Sequence, residues 1–124
     1  MFADDDASKL IGISIDSVGP GSANVSMTVR ADMTNGLGVC HGGYLFTLAD
    51  TAMAFASNSR NNTAFATAGS VDFIAPGKLG AVLTATATET LLAGRNGMYD
   101  VVVTDTADGT VVAMFRGKTR DVTR

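Results

Sequence analysis

The 124-residue sequence has few of the residues that build disulfides, metal centres or nucleic-acid surfaces. It contains one cysteine, Cys40, which excludes an internal disulfide, and one histidine, His41, which leaves too few soft ligands for a closed zinc site. Charged residues make up only 17% of the chain, with a net charge of −3, so there is no basic surface for a polyphosphate backbone. We therefore expect no metal, no other cofactor and no nucleic-acid partner.

Long apolar runs are also missing. The most apolar stretch, residues 44–56, is too short to cross a membrane, and Thr47, Asp50 and Thr51 interrupt it. Residues 1–10 carry three aspartates where a secretory signal would have basic residues and then an apolar run. We expect a cytoplasmic protein that does not bind membranes. Its apolar fraction of 46% is typical of one compact domain, here residues 1–124.

Alternating apolar and polar residues predict six strands. Residues 23–30 alternate strictly, and Ile11, Ile13 and Ile15 predict a shorter strand before them, with a turn at 19–21. Segments rich in Val, Thr and aromatic residues predict four more strands, at 65–74, 81–92, 98–105 and 110–120. Because turn residues separate these strands, we expect consecutive strands to pair antiparallel.

One long helix is predicted from His41 to about Asn58. Apolar residues at 45, 48, 49, 52, 53 and 56 form a single stripe, which we expect to pack on the sheet. Phe46, Ala54 and Phe55 lie off this stripe, and no Lys, Arg or Glu occurs in residues 41–59. Because one sheet cannot surround a helix, we expect a second copy of the chain to cover the other side, as a homodimer.

Asp50 is the only acidic residue of this helix, and it lies away from the apolar stripe. A carboxylate held among apolar and hydroxyl groups is partly desolvated, which raises its pKa and its basicity. Asp50 is therefore a candidate general base or nucleophile, with a solvated surface aspartate as the alternative.

Gly42 and Gly43 open the helix, where free N–H groups and the positive end of the dipole can hold an oxyanion. A tight turn is the alternative role for the two glycines. Gly42 and Asp50 are about 12 Å apart along the helix axis, too far for one carbonyl to contact both within one chain. If both act on one thioester or ester, they must come from two subunits whose helices lie side by side.

His41 and Asn35 are candidates for contacts to the acyl group. His41 orients the loop or the substrate carbonyl, or only caps the helix. A dyad with Cys40 is disfavoured, because adjacent side chains point in different directions. Asn35 reaches the acyl group, or only forms a turn with Gly36.

Basic residues near the end of the chain are candidates for binding nucleotide phosphates. Arg116, Lys118 and Arg120 share one face of the last predicted strand, and Lys78 and Arg95 could assist them. A solvated strand surface is the alternative interpretation.

The segment from His41 to Asn58, HGGYLFTLADTAMAFASN, resembles the hot-dog-fold acyl-CoA thioesterases of the phenylacetic-acid-degradation (PaaI) type. In that family an HGG turn begins the central helix, and LADTA carries the catalytic aspartate. The similarity extends to Asn35–Gly36, Asp72–Phe73 with Pro76, residues 99–101 and residues 113–118.

This resemblance implies an α+β fold, in which a curved antiparallel sheet of about six strands wraps the long helix. It also implies side-by-side dimers with sites at their interface, usually paired into a tetramer. By position, Asp50 corresponds to the base or nucleophile, Gly42 to the oxyanion donor and His41 to a polar residue near the thioester carbonyl. Ser70 corresponds to a small hydroxylic residue on the strand facing the site. The residues expected to contact substrate are Asn35, Gly43, Phe46, Thr51, Ser70, Lys78, Arg116 and Lys118.

The chain departs from the family pattern at one position. Such sequences often have Arg before the Pro of the third-strand turn, whereas this chain has Ala75. If that Arg normally meets a coenzyme A phosphate, Lys78 or the carboxy-terminal basic residues must replace it.

The expected activity is hydrolysis of an acyl-CoA, either aryl-acetyl or hydroxylated aryl-acetyl, to the free acid and coenzyme A. A first alternative is an acyl-CoA hydratase or dehydratase of the same fold. Hydratases resembling this fold carry an Asp-x-Asn-Pro-x-His-like motif, and residues 32–36 lack its Pro and the His that follows. A second alternative is a non-catalytic module that binds acyl-CoA without releasing thiol.

Overall fold

The fold is described by a computed structural model covering residues 2–123. Met1 and Arg124, which the predicted domain includes, lie outside the described residues. The helices are α1 (Asp6–Leu10) and α2 (Gly42–Ser57), and the strands are β1 (Ser14–Gly19), β2 (Ser22–Thr28), β3 (Ala64–Phe73), β4 (Val82–Ala93), β5 (Asn96–Asp105) and β6 (Val111–Asp121). The α+β prediction, one long helix with a six-stranded antiparallel sheet, is confirmed.

The strand predicted from Ile11 begins too early. Asp5 caps α1 by accepting from the Ser8 N–H (3.0 Å) and the Ser8 hydroxyl (2.7 Å). Ile11 closes this helix, since its N–H donates to the carbonyl of Ala7 (3.4 Å). β1 therefore starts only at Ser14.

The strand order is β1-β2-β4-β5-β6-β3, with every neighbouring pair antiparallel. The expectation of consecutive pairing is wrong for β3, which pairs with β6 at the sheet edge, while β4 pairs with β2. The connection through α2 carries the chain across the inner face of the sheet to the far edge. This crossing buries the apolar stripe of α2 against the sheet. The free energy of that burial comes from contacts between distant parts of the chain, so the turn residues between strands do not indicate it.

The core lies between α2 and the inner face of the sheet. Leu48, Ala49, Ala52 and Ala56 on the helix stripe are all 0% exposed. They meet inward residues of the central strands, among them Val25, Leu83, Ala85, Ala87, Val101 and Val103. Over β6 the helix comes so close that Gly117 is needed, because a Cβ there would clash with the Met53 side chain.

The amino-terminal segment covers part of the helix side that we expected a second copy to cover. The Phe2 ring packs on Phe55 with centroids 6.1 Å apart, and the Ser8 hydroxyl lies 3.3 Å from the Thr51 hydroxyl. Phe46 remains 36% exposed. No helix within residues 2–123 is long and apolar enough to span a membrane.

Candidate active site

The turn before α2 is held by backbone hydrogen bonds to two other segments. The His41 N–H donates to the Met33 carbonyl, and the Cys40 N–H donates to the Gly77 carbonyl, both at 2.8 Å. His41 then caps α2, because its Nδ1 accepts from the Gly43 N–H at 3.0 Å. In the neutral imidazole this leaves the proton on Nε2, which can donate to a ligand.

The Gly42 N–H is the free donor of this first helical turn. The N–H groups of Tyr44 and Leu45 both donate to the His41 carbonyl, and His41 Nδ1 takes the Gly43 N–H. Among the described residues, no acceptor pairs with the Gly42 N–H. Gly42 borders a pocket of about 350 Å³ whose other walls include Asn35, Val39, Cys40, Leu45, Phe73 and Ile74.

Asn35 lines this same pocket and shapes the turn that leads to it. Its side-chain oxygen accepts from the N–H groups of Leu37 (2.9 Å) and Val39 (3.4 Å). The turn role considered from sequence is therefore present. Because the amide oxygen is used in the turn, the amide NH₂ is the group left for a ligand.

Asp50 lines a second and larger cavity, a cleft of about 840 Å³ beside the carboxy-terminal half of α2. The side chain is half-buried, and desolvation by that burial raises its pKa above the ordinary value. Within residues 2–123 no hydrogen bond or ion pair to another side chain stabilises the carboxylate. The group is thus basic and open to the cleft, as a general base or nucleophile requires.

The cleft and the Gly42 pocket are separate within one chain. Asp50 lines only the first and Gly42 only the second. The eight-residue separation along α2 accounts for this, since the helix rises about 1.5 Å per residue. One chain therefore presents two half-sites rather than one complete site.

Cys40 is buried at 4% exposure, and this burial raises its thiol pKa to about 11. Its Sγ lies 3.6 Å from the carbonyl oxygen of His41, not against the imidazole. A neutral thiol without an adjacent base is a poor nucleophile, so the geometry disfavours a Cys–His dyad.

Three of the residues expected to contact substrate already contact other groups of the same chain. The Gly43 N–H is used by His41, and the Thr51 hydroxyl donates to the Thr47 carbonyl at 2.8 Å. Phe46 packs edge-on against Phe115, with centroids 5.2 Å apart. Thr51 is buried, whereas Gly43 and Phe46 keep exposed surface for a ligand or a second copy.

Ser70, which the resemblance places on the strand facing the site, lies on the outer face of the sheet, away from α2. It pairs with Arg116 on β6, whose side chain is exposed on the outer face. The reason is a bulge between Ala66 and Ala68, which shifts the register by one residue and exchanges the two faces of β3 beyond it. The structure therefore does not bring Ser70 to Asp50 within one chain.

The basic residues lie in two places. Arg116, Lys118 and Arg120 share the outer face of β6, as predicted, and Arg116 is bound to Asp100 at 2.8 Å. Lys78 is exposed and forms a β-bridge with Val39, beside the Gly42 pocket. Of the predicted phosphate ligands, Lys78 is thus the one adjacent to a half-site.

Sequence reasoning assigned no role to Phe73, which forms a wall of the Gly42 pocket. The sequence does carry an indication of a neighbour at this point. A glycine that opens a helix, as Gly42 does, can indicate that another group occupies the space of a side chain. No cluster of three potential His, Cys, Asp or Glu metal ligands occurs among residues 2–123.

Comparison with known proteins shows the family. Residues 37–112 match the model of the thioesterase superfamily. The acyl-coenzyme A thioesterase PaaI of Escherichia coli K12 is 45% identical over 98% of this chain and 86% of its own length.

Solved structures agree with the fold. The structure of the E. coli PaaI protein has a TM-score of 0.95 at 44% identity, covering 98% of this chain and 88% of that one. A mutant form of the phenylacetic acid degradation protein PaaI from Thermus thermophilus has a TM-score of 0.89 at 37% identity, covering 94% and 98%. Streptococcus mutans smu.793, solved with bound acetyl-CoA, has a TM-score of 0.86 at 26% identity, covering 91% and 90%. The chain therefore belongs to the thioesterase superfamily and is a thioester hydrolase with the hot-dog fold.

Proposed function

We propose that this enzyme hydrolyses acyl-CoA thioesters with apolar, aryl-acetyl-type acyl groups, in an active site shared by two copies of the chain. The observation that carries the proposal is the half-buried Asp50 carboxylate, which faces a large cleft without a partner among residues 2–123. The E. coli relative is named an acyl-CoA thioesterase, and the S. mutans relative was solved with acetyl-CoA. Both names support a coenzyme A thioester as the substrate.

Two features of the surface support a homodimer. β3 is an edge strand that carries one charged residue, Asp72, and no Lys or Pro, so its free edge lacks the usual protection against pairing. Beside it, Phe46 leaves 36% of its surface exposed on α2. Pairing of two β3 edges would bring two α2 helices side by side and cover both features.

The half-sites determine how the two helices are aligned in this dimer. For Asp50 of one chain to meet Gly42 of the partner subunit, the two-fold axis must pass midway between positions 42 and 50, at position 46. Phe46 then lies against its own symmetry mate. This alignment joins the Asp50 cleft of one subunit to the Gly42 pocket of the other, twice per dimer.

The reaction follows from this arrangement. Asp50 takes a proton from a water molecule as the oxygen attacks the thioester carbonyl carbon, and the carbonyl electrons move to oxygen. The N–H of Gly42 of the partner subunit stabilises the oxyanion. The partner's His41 donates its Nε2–H to the same oxygen. When the oxyanion collapses, the carbon–sulfur bond breaks, and the coenzyme A thiolate takes the proton from Asp50.

Direct attack by the Asp50 carboxylate is the second possible route. It would form a mixed anhydride with loss of the thiolate, and water would then hydrolyse the anhydride. A single turnover in ¹⁸O-water distinguishes the two routes. General-base attack puts the label only in the product acid, whereas attack of water on the aspartyl carbonyl of an anhydride leaves it in Asp50.

The cleft lining favours an apolar acyl group. Two of the polar residues at its end are committed to structure: the Asn58 amide bonds to the Ala54 and Ala64 backbones, and the Asn62 amide bonds to Ser57 and Asp121. The walls left for substrate are mostly Met53, Ala54, Phe55, Phe65 and Ala66. An aryl ring packs well against such walls. Comparing phenylacetyl-CoA with its ring-hydroxylated relatives tests which acyl group fits best.

The coenzyme A end of the substrate is proposed to run past Lys78. This lysine is exposed beside the Gly42 pocket, whereas Arg116 and Lys118 lie on the outer face of the sheet. Lys78→Ala should therefore raise KM for acyl-CoA several-fold. The same change at Lys118 tests the alternative phosphate site.

Mixing two inactive variants tests the shared site. Asp50→Asn removes the base, and Gly42→Pro removes the N–H at the first helical position, which suits the proline backbone, although the added Cβ also meets the Phe73 ring. In a one-to-one mixture half of the dimers are mixed, and each mixed dimer has one intact site. Activity should return to about a quarter of the parent value, because a random mixture of dimers keeps that share of complete sites.

Two outcomes contradict the proposal. If folded dimers of the two variants exchange subunits without regaining thiol release, the site is not shared. If Asp50→Asn retains parent turnover across a panel of acyl-CoAs while Asp16→Asn, its surface control, does the same, Asp50 is not the base. Sedimentation of the same samples shows whether dimers pair further into tetramers, and cell fractionation tests the expected cytoplasmic location.

A further inference from the structure

Phe73 occupies the space that the missing side chain of Gly42 would fill. An ideal Cβ on Gly42 would lie 2.8 Å from Cζ, 3.1 Å from Cε1 and 3.3 Å from Cε2 of the Phe73 ring. Separations below 3.0 Å are essentially never seen for real Cβ atoms. The tip of the ring therefore rests directly on the backbone that opens α2.

The two ends of this contact are anchored to different parts of the fold. Directly after Phe73, the N–H groups of Ile74 and Ala75 both donate to the Val112 carbonyl (2.8 and 3.1 Å), which fixes the end of β3 to β6. The turn before Gly42 is fixed separately, through the Met33 and Gly77 carbonyls. The Phe73 ring thus connects the sheet to the first turn of the helix.

We propose that Phe73 is a positioning residue for the hydrolysis, holding the Gly42 N–H in the direction that the oxyanion requires. The inference rests on the proposed role of Gly42. Because His41 already uses the Gly43 N–H, the direction of the single N–H at Gly42 matters most. Phe73 is 56% exposed in the single chain, and its ring gives the pocket an apolar wall beside the Gly42 N–H.

A double-mutant cycle on kcat tests this role. Phe73→Ala removes the ring, and Gly42→Ala keeps the N–H but adds the methyl group that meets the ring. We expect each change to lower kcat by about tenfold, since a misplacement near 1 Å can cost up to about a hundredfold. KM should change less than about threefold, because substrate binding elsewhere is unaffected.

The combined variant gives the decisive comparison. Without the ring, the added methyl group has nothing to displace, so the double variant should have about the same kcat as Phe73→Ala alone. If the two losses instead multiply to about a hundredfold, the ring does not act through Gly42 and the inference is overturned. Leu91→Ala, an exposed leucine on β4, is the surface control and should keep parent kcat and KM.

Further measurements separate this inference from folding effects and from the proposed function. If Phe73→Ala unfolds, Phe73→Leu keeps an apolar side chain but loses the ring tip, and it should show the same fall in kcat. If Asp50→Asn is inactive and folded Phe73 variants retain kcat within twofold, only the role of Phe73 is overturned. If Asp50→Asn itself keeps full turnover, the proposed function fails first.

Discussion

Truncation of Phe46 should weaken the dimer strongly and should also destabilise the isolated chain. A phenylalanine side chain buries about 200 Å² when fully covered. Phe46 is 36% exposed in the single chain, so about 70 Å² remains for a second copy to cover, or about 1.8 kcal/mol per subunit at about 25 cal/mol per Å². A two-fold axis at position 46 doubles this to about 3.5 kcal/mol for the dimer.

In terms of affinity, Phe46→Ala should raise the dimer dissociation constant by about 300-fold, since about 1.4 kcal/mol corresponds to tenfold. Within one chain the same truncation should lower the free energy of unfolding by about 3 kcal/mol, independently of protein concentration, because about 130 Å² of the side chain is already buried there, partly against Phe115. The weaker dimer and the less stable chain both result from losing one side chain. Only the first effect depends on protein concentration, so the two can be measured separately.

Sedimentation equilibrium over a dilution series measures the dissociation constant, and thiol release on the same samples measures activity. Because each site as proposed needs two chains, specific activity of the variant should fall on dilution at concentrations where the parent is still fully active. Leu91→Ala, which truncates a residue 53% exposed on β4, should leave both curves unchanged. A dissociation constant for Phe46→Ala within threefold of the parent would refute the proposed alignment of the helices.

Three other changes have defined outcomes. Desolvation raises the pKa of Asp50 in the folded protein, so its ionisation destabilises the fold as pH rises through the interval between the unfolded and folded pKa values. Asp50→Asn should therefore gain stability relative to the parent in urea unfolding as the pH rises above the ordinary aspartate pKa, and no gain would contradict the desolvated carboxylate. Gly117→Ala should cost about 1–3 kcal/mol because its methyl group meets Met53, whereas Gly36→Ala, with open space around it, should cost far less in the same assay. Asp5→Ala removes the cap of α1 and should lower stability by about 1 kcal/mol, with faster amide exchange confined to α1.

The elements that carry strong local signals were predicted closely. The apolar stripe and the HGG turn placed α2 within one residue of its observed ends, and alternation placed β2 to β6 within about two residues. The short helix α1 was missed, although Asp5 three residues before Ser8 is a recognisable cap. Five residues are too few for an apolar period to be seen.

The pairing of β3 and the orientation of Ser70 could not be predicted, for a different physical reason. Strand neighbours are chosen by burial across the whole sheet, and nothing in residues 64–73 indicates β6 as the partner. The orientation of Ser70 depends on the bulge after Ala66, which is a property of the pairing. Asp50 and Gly42 could be proposed from sequence because each carries its chemistry locally, as a lone acid on an uncharged helix and as a glycine at a helix start.

The bulge in β3 also constrains how relatives of this chain can differ in length. Deleting Thr67 alone would remove the bulge and keep the pairing on both sides of it, so Asp72 would still face outward and Gly69 would still face the helix. A relative with a regular third strand must therefore be one residue shorter within the strand itself. A correct alignment with such a relative would open its gap at this position, and a gap placed in the neighbouring loop would assign inner and outer residues to the wrong sides.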